Sequence, residues 1–263
     1  MKGIFMAVLV WACAAGAQDS VRVRLNESPR HQEWVKVKSG ERQVHAFLVF
    51  PEVADPALAV VVIHENRGLT DWVRSVADHL AEAGYIAIAP DLLSGMGPEG
   101  GGTDAFPSSD EARQALYQLM PEQIEADLNG VVEYVKNLPA CSGKVVVGGF
   151  CWGGGQTFAF AAQRADLNAA FVFYGRGPEA EEAVARIACP VYGFYGGQDE
   201  RINAAIPQIA GWMEKAGKVY EPVIYEGAGH GFMRSGEGTG AGAADQKARA
   251  LGWSRWLGLL EKR

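Results

Sequence analysis

The stretch KVVVGGFCWGG, residues 144–154, decides the fold. Lys144 to Gly149 is an apolar, valine-rich run, the composition of a strand covered on both faces. It passes without a polar break into Gly149-Phe150-Cys151-Trp152-Gly153, and a helical stretch starts near Gly154. A turn this tight between strand and helix forces the central residue into a strained backbone conformation, so its neighbours must be small. The N-terminus of the following helix offers free N–H groups and a positive dipole end. Both favour a thiolate and a developing oxyanion. Read alone, the pattern also fits a glycine-rich turn around a buried cysteine. The rest of the chain argues against that.

Outward from this turn, apolar runs alternate with amphipathic ones. That is the pattern of an α/β domain with a mostly parallel central sheet and helices on both faces. Upstream, Gln43 to Phe50, the wholly apolar LAVVVI at 58–63, and Tyr85 to Ala89 read as strands. Asp71 to Ala83 reads as a helix, with Thr70 at its N-cap and Gly84 as its stop. Pro121 to Asn137 is a second helix, with proline in its first turn. Downstream, Ala169 to Tyr174, Pro190 to Tyr195 and Tyr220 to Tyr225 are predicted strands, and Asn203 to Ala216 and Ala243 to Leu260 predicted helices. Ser94 to Ser109 is rich in Gly, Pro and Ser and reads as a long loop of the kind that serves as a lid. No linker or repeat interrupts this order, so residues 18–263 are expected to form one domain.

Apolar residues make up 48 % of the chain, enough for a sizeable core, and the net charge is -7 with no basic cluster of the kind nucleic acid binding requires. Lys2, the apolar run Ile4 to Ala15 and the small-x-small Ala15-Gly16-Ala17 have the layout of a secretory signal peptide. Residues 1–17 are therefore expected to be removed and the remainder exported, periplasmic or secreted. The run falls short of the about 20 apolar residues that a membrane span needs, so no stable membrane insertion is expected. A lipoprotein signal ending at Cys13 is an alternative that the bulk of Trp11 disfavours. Cleavage after Ala17 leaves Cys141, Cys151 and Cys189, so at least one thiol is unpaired. Cys141 and Cys189 could be joined, or both could be small buried apolar side chains.

Three further motifs sit just past predicted strands. In Tyr195-Gly196-Gly197-Gln198-Asp199 the aspartate lies on the same sheet edge as the Cys151 turn, where its carboxylate can hold a histidine in one tautomer. An Asx-turn or helix cap is the plainer role for Asp199. In Gly227-Ala228-Gly229-His230-Gly231-Phe232 the histidine is flanked by glycines, so it is on a loop, free to serve as general base and then general acid. In Ile63-His64-Glu65-Asn66-Arg67-Gly68 the chain leaves the LAVVVI strand. If Cys151 is a nucleophile, that position supplies one oxyanion N–H, from Asn66, and Trp152 supplies the other. Glu65 is unusual beside an oxyanion hole, because a carboxylate repels developing negative charge. Either it belongs to a surface turn of mixed charge, or it hydrogen-bonds the Cys151 thiol and controls when it ionises.

HENRG at 64–68, APD at 89–91, GGFCWGG at 148–154, YGGQD at 195–199 and GHGFMR at 229–234 together resemble the dienelactone hydrolase family. The resemblance implies an α/β-hydrolase fold, with the expected chain order of nucleophile, acid and histidine. It implies hydrolysis of a small carboxylic ester or lactone, with no metal or cofactor. Cys151 would attack the carbonyl to give a thioester, and His230, oriented by Asp199, would activate water for deacylation. Glu65 would hold the resting thiol neutral and take its proton when substrate binds, which would also protect the thiol from oxidation. Arg234 matches a family position that grips a substrate carboxylate, where a guanidinium can bind both oxygens. A solvated Arg234 is the plainer alternative. One departure stands out. Where the type enzyme has a second substrate-binding arginine shortly after APD, this chain has Leu92-Leu93-Ser94-Gly95-Met96, and Arg67 is the candidate substitute. Ester chemistry does not depend on that arginine, whereas recognition of dienelactone does. A monomer acting on a small molecule is expected. The competing readings are a thioesterase or acyltransferase on the same scaffold, or a binding module with a vestigial triad. Intact Cys151, Asp199 and His230 argue against the last.

Overall fold

The computed structural model describes residues 21–238 and 240–263, so the signal peptide expected over residues 1–17 lies outside the described residues. Among the described residues eight strands form one sheet: β1 (Gln32–Ser39), β2 (Arg42–Val49), β3 (Ala57–Ile63), β4 (Ile86–Pro90), β5 (Cys141–Phe150), β6 (Ala170–Phe173), β7 (Val191–Gly196) and β8 (Tyr220–Tyr225). Their order across the sheet is β1-β2-β4-β3-β5-β6-β7-β8. β2 runs antiparallel to both of its neighbours, and every other pairing is parallel. The predicted α/β class, with its mostly parallel sheet, is the observed one.

The period of two along a strand divides the core into two layers. Ala59, Val61 and Ile63 of β3 face one layer, with residues of the helices α3 (Pro121–Lys136), α4 (Trp152–Ala161) and α7 (Ile206–Lys215). Leu58, Val60 and Val62 face the other, with α1 (Asp71–Glu82) and α9 (Ala243–Leu260). Both faces of β3 are therefore covered, which is why its sequence carries no polar residue. The short helices α5 (Glu181–Ala185), α6 (Glu200–Asn203) and α8 (Phe232–Ser235) lie in the connections.

Local details add to these expectations. The edge strand β1 has no signal in the sequence pattern, because in QEWVKVKS only Val37 and Ser39 are buried and the strand reads as polar. The helix expected over 203–216 is observed as α7, which starts at Ile206 with Pro207 in its first turn. A separate short helix, α6, precedes it because Pro207 has no N–H to continue a helix from α6. The long loop expected over 94–109 is present, with only Ser94 and Gly97 in it buried. It holds two short 3₁₀ turns and leads into α2 (Ser109–Leu116), whose N-cap Ser108 accepts from Glu111 N at 3.2 Å. Leu93, Ala112 and Leu116 cluster there with Met96, Phe106 and Trp152. Cys141 and Cys189 are both free, and burial pushes the Cys189 thiol up to about 11.

This segment is tied to the turn that follows β3. The buried Asp91 carboxylate accepts from Leu93 N (3.0 Å), Thr103 N (2.7 Å) and Thr103 Oγ1 (2.7 Å). Thr103 Oγ1 in turn accepts from Leu69 N at 2.9 Å. Asp91→Ala leaves these donors unmatched in the interior. It is expected to cost about 3 kcal/mol in urea unfolding and to speed amide exchange at Leu69 and Thr103. Unaltered stability and exchange would contradict this account.

Candidate active site

Cys151 occupies the turn between β5 and α4 with φ 55° and ψ −113°. That conformation is strained for a residue with a Cβ, and the surroundings enforce it. Cys151 N donates to Phe173 O of β6 at 3.0 Å. A Cβ on Gly153 would collide with the carbonyl oxygens of Ile63 and His64, and one on Gly154 with Phe173 O. The start of α4 is thus wedged between the ends of β3 and β6, with backbone against backbone. The glycines around Cys151 are what permit it.

The acid and the histidine arrive from the next two strands. Asp199 follows β7 and begins α6, yet its side chain caps nothing there. The carboxylate instead hydrogen-bonds His230 Nδ1. The loops meet closely because a Cβ on Gly196 would strike Ala228 O and Gly229 O, and because Gln198 N donates to Ala228 O at 2.9 Å. Asp245 of α9 secures the histidine loop from behind by accepting Gly229 N at 2.8 Å. The His230 pKa is pushed up to about 9, first by its hydrogen bond with Cys151, against burial, and then by its hydrogen bond with Asp199. Imidazole and carboxylate are thus joined by a hydrogen bond at the C-terminal rim of the parallel sheet, the edge that also carries the Cys151 turn and where ligands of open α/β sheets bind.

A second group surrounds the turn after β3. His64 is wholly buried. Its Nε2 accepts from Leu92 N at 3.3 Å, so its Nδ1 carries the proton and donates to Glu65 O at 2.8 Å. Burial lowers the His64 pKa, in keeping with this neutral tautomer. A trans peptide points its C=O and N–H in opposite directions. Because Glu65 O is turned inward to His64 and to Gly68 N (3.3 Å), Asn66 N–H is turned outward. Among the described residues neither Asn66 N nor Trp152 N has an acceptor. The Trp152 ring stacks on His64, with centroids 5.6 Å apart.

The buried Glu65 carboxylate pairs with Arg234, whose Nε lies 2.8 Å from Oε2. The hydrogen bond expected from the Cys151 thiol to Glu65 is not the one formed here. Arg234, expected at a substrate carboxylate, is half-exposed beside Glu65. Arg67 is exposed on the turn and has no ion pair among the described residues. Leu92 and Leu93, which stand in place of the type enzyme's arginine, are buried in the core. Sequence reasoning missed two contributors. His64 lay within the quoted HENRG stretch, but its role depends on Leu92, which comes from another strand end. Tyr174 was read as the last residue of a strand, whereas its ring packs edge-on against His230 at 5.1 Å. Among the described residues no group of three or more His, Cys, Asp or Glu is arranged to hold a metal ion, and no helix is long and apolar enough to cross a membrane.

A strained cysteine turn after a central parallel strand, with acid and histidine delivered by later strands, is the architecture of an α/β-hydrolase. More narrowly, the chain belongs to the dienelactone hydrolase family, whose model matches residues 44–263. A carboxymethylenebutenolidase from Pseudomonas putida is 30% identical over 208 residues, covering 77% of this chain and 86% of the relative. A dienelactone hydrolase-like promiscuous phosphotriesterase from metagenomic libraries superposes with a TM-score of 0.74 at 23% identity, over 89% of this chain and 98% of that one. A dienelactone hydrolase from Anabaena variabilis superposes with a TM-score of 0.64 at 22% identity, over 85% of this chain and 96% of that one. These two superpositions establish the shared fold.

If the Cys151 sulfur is the main support of the His230 proton, Cys151→Ala should move the imidazole midpoint down from about 9 toward its ordinary value near 6.5. An NMR titration of the His230 ring reads this directly. A midpoint still near 9 in that variant assigns the rise to another group.

Proposed function

We propose that this protein hydrolyses a carboxylic ester or lactone through a thioester formed on Cys151. The observation that carries this reading is the strained Cys151 turn on the same sheet rim as the His230–Asp199 hydrogen bond, with the N–H groups of Asn66 and Trp152 left without an acceptor among the described residues. In the first step the Cys151 thiol gives its proton to the Glu65 carboxylate, the sulfur bonds to the substrate carbonyl carbon, and His230 starts in its protonated form. The carbonyl oxygen becomes an oxyanion facing Asn66 N–H and Trp152 N–H. When the tetrahedral species collapses, the alkoxide leaves with a proton from His230, and for a lactone it remains attached as the opened chain. His230 then takes a proton from water, the hydroxide attacks the thioester, and the sulfur leaves as a thiolate that recovers its proton from Glu65. Asp199 keeps the imidazole in the tautomer that both steps need.

Glu65 and Arg234 add selectivity. An anionic substrate competes with Glu65 for the Arg234 guanidinium. Drawing Arg234 away leaves Glu65 as a buried carboxylate without its cation, beside a thiol whose proton it can accept. The named activity of the Pseudomonas putida relative suggests butenolides as the substrate class. With buried leucines in place of the second arginine, one cationic side chain beside the cysteine grips the anion, and Arg67 waits at the rim.

Cys151→Ala should reduce hydrolysis of a carboxymethyl-substituted butenolide at least about 1000-fold, with little loss of stability. Rapid-quench mass spectrometry of the parent enzyme should find the acyl group on the peptide containing Cys151. Arg234→Gln should raise KM for that lactone about tenfold and leave KM for its carboxamide analogue nearly unchanged. Undiminished turnover in the Cys151 variant ends the reading. Preferential transfer of the acyl group to an added alcohol would move the protein to the acyltransferases.

A further inference from the structure

Tyr174 combines several features that packing alone does not explain. It follows β6 with φ 41°, in the left-handed region that a bulky side chain avoids. It is wholly buried. Its ring lies edge-on against His230 at 5.1 Å and against Phe232 at 5.5 Å. Its hydroxyl is enclosed and has no hydrogen-bond partner among the described residues. A buried, unmatched hydroxyl destabilises a fold, and phenylalanine would fill the same space without that cost. The strained backbone thus carries a polar group into a place where, at rest, it bonds to nothing.

The charges around that hydroxyl show what it serves. Glu65 acts on it most strongly, followed by Arg234, Cys151 and Arg249. The geometry agrees: the Tyr174 ring packs on His230 and Phe232, and a Cβ on Gly231 between them would lie 3.9 Å from Glu65 Oε1 and 3.7 Å from Arg234 Nη2. Cys151 at the head of α4 and Arg249 of α9 also act on the hydroxyl, and Asp199 lies behind His230. Burial raises the phenol pKa well above 10, so the group stays neutral and able to donate.

We propose that Tyr174 is a positioning residue for Glu65, its hydroxyl donating to the Glu65 carboxylate when an anionic ligand draws Arg234 away. This rests on the reading that Glu65 takes the Cys151 proton. A buried carboxylate that loses its cation without gaining a donor binds a proton from water, and can then accept none from a thiol. A neutral phenol keeps it charged, and unlike a second cation it does not compete for the ligand.

Alkylation of Cys151 tests this independently of turnover. Iodoacetate and iodoacetamide transfer nearly the same carbon to the sulfur, with iodide leaving, but only the first carries a carboxylate for Arg234. Tyr174→Phe is expected to slow alkylation by iodoacetate about tenfold, to move its acidic limb up by about one pH unit, and to slow iodoacetamide by no more than about threefold. The variant should melt no lower than the parent. Equal slowing by both reagents, an unmoved iodoacetate limb, or a lower melting temperature would show a structural role and overturn the proposal. Glu65→Gln separates the two levels. If the iodoacetate profile is unchanged in that variant, the reading of Glu65 fails and the inference falls with it. If it changes there but not in Tyr174→Phe, the inference alone fails.

Discussion

The backbone contact at the head of α4 is the constraint on which the site rests. Gly153 lies against the carbonyls of Ile63 and His64, and Gly154 lies against Phe173 O, so that no side chain separates α4 from the ends of β3 and β6. This closeness leaves Cys151 no relaxed conformation, and it stays at φ 55° with its sulfur at the sheet rim. The same closeness holds the backbone at Trp152 and Gly153 against the end of β3, from which the turn carrying Asn66 leaves. One steric requirement therefore fixes the strained cysteine and the start of α4 against that turn.

Around this point charge is balanced by pairs drawn from distant parts of the chain. His230 is held by Asp199, and Glu65 by Arg234. Each pair joins residues carried by different strand ends. On the proposed reading the first couple moves protons to and from the substrate and the second answers to a bound anion, and the buried Tyr174 ring packs against the first at His230.

His64 illustrates how loops are fixed without charge. Its ring takes one backbone N–H from after β4 and gives its own N–H to the backbone after β3. Asp91 holds Leu93 and Thr103 with three further hydrogen bonds, and Thr103 Oγ1 accepts from Leu69 N to tie this segment to the same junction. Leu93 at its start joins Ala112, Leu116 and Trp152 in a small hydrophobic cluster next to the Cys151 turn.

The strands whose both faces are buried were legible in the sequence, because a residue hidden on either side must be apolar. So was the turn at Cys151, because only glycines tolerate backbone contact beside a strained turn residue. The placement of Cys151, Asp199 and His230 after parallel strands was enough to put them on one rim. The edge strand β1 was hidden by its exposure to water, and the break before α7 by apolar periodicity continuing through Pro207. Pairing was beyond reach of the sequence. That Arg234 meets Glu65, that His64 receives Leu92 N–H, and that the Tyr174 hydroxyl is enclosed without a partner all depend on distances between strand ends. Those distances are set by sheet order and by the packing of helices against it. Local pattern decided which side chains reach the rim, and tertiary packing decided which of them hold one another.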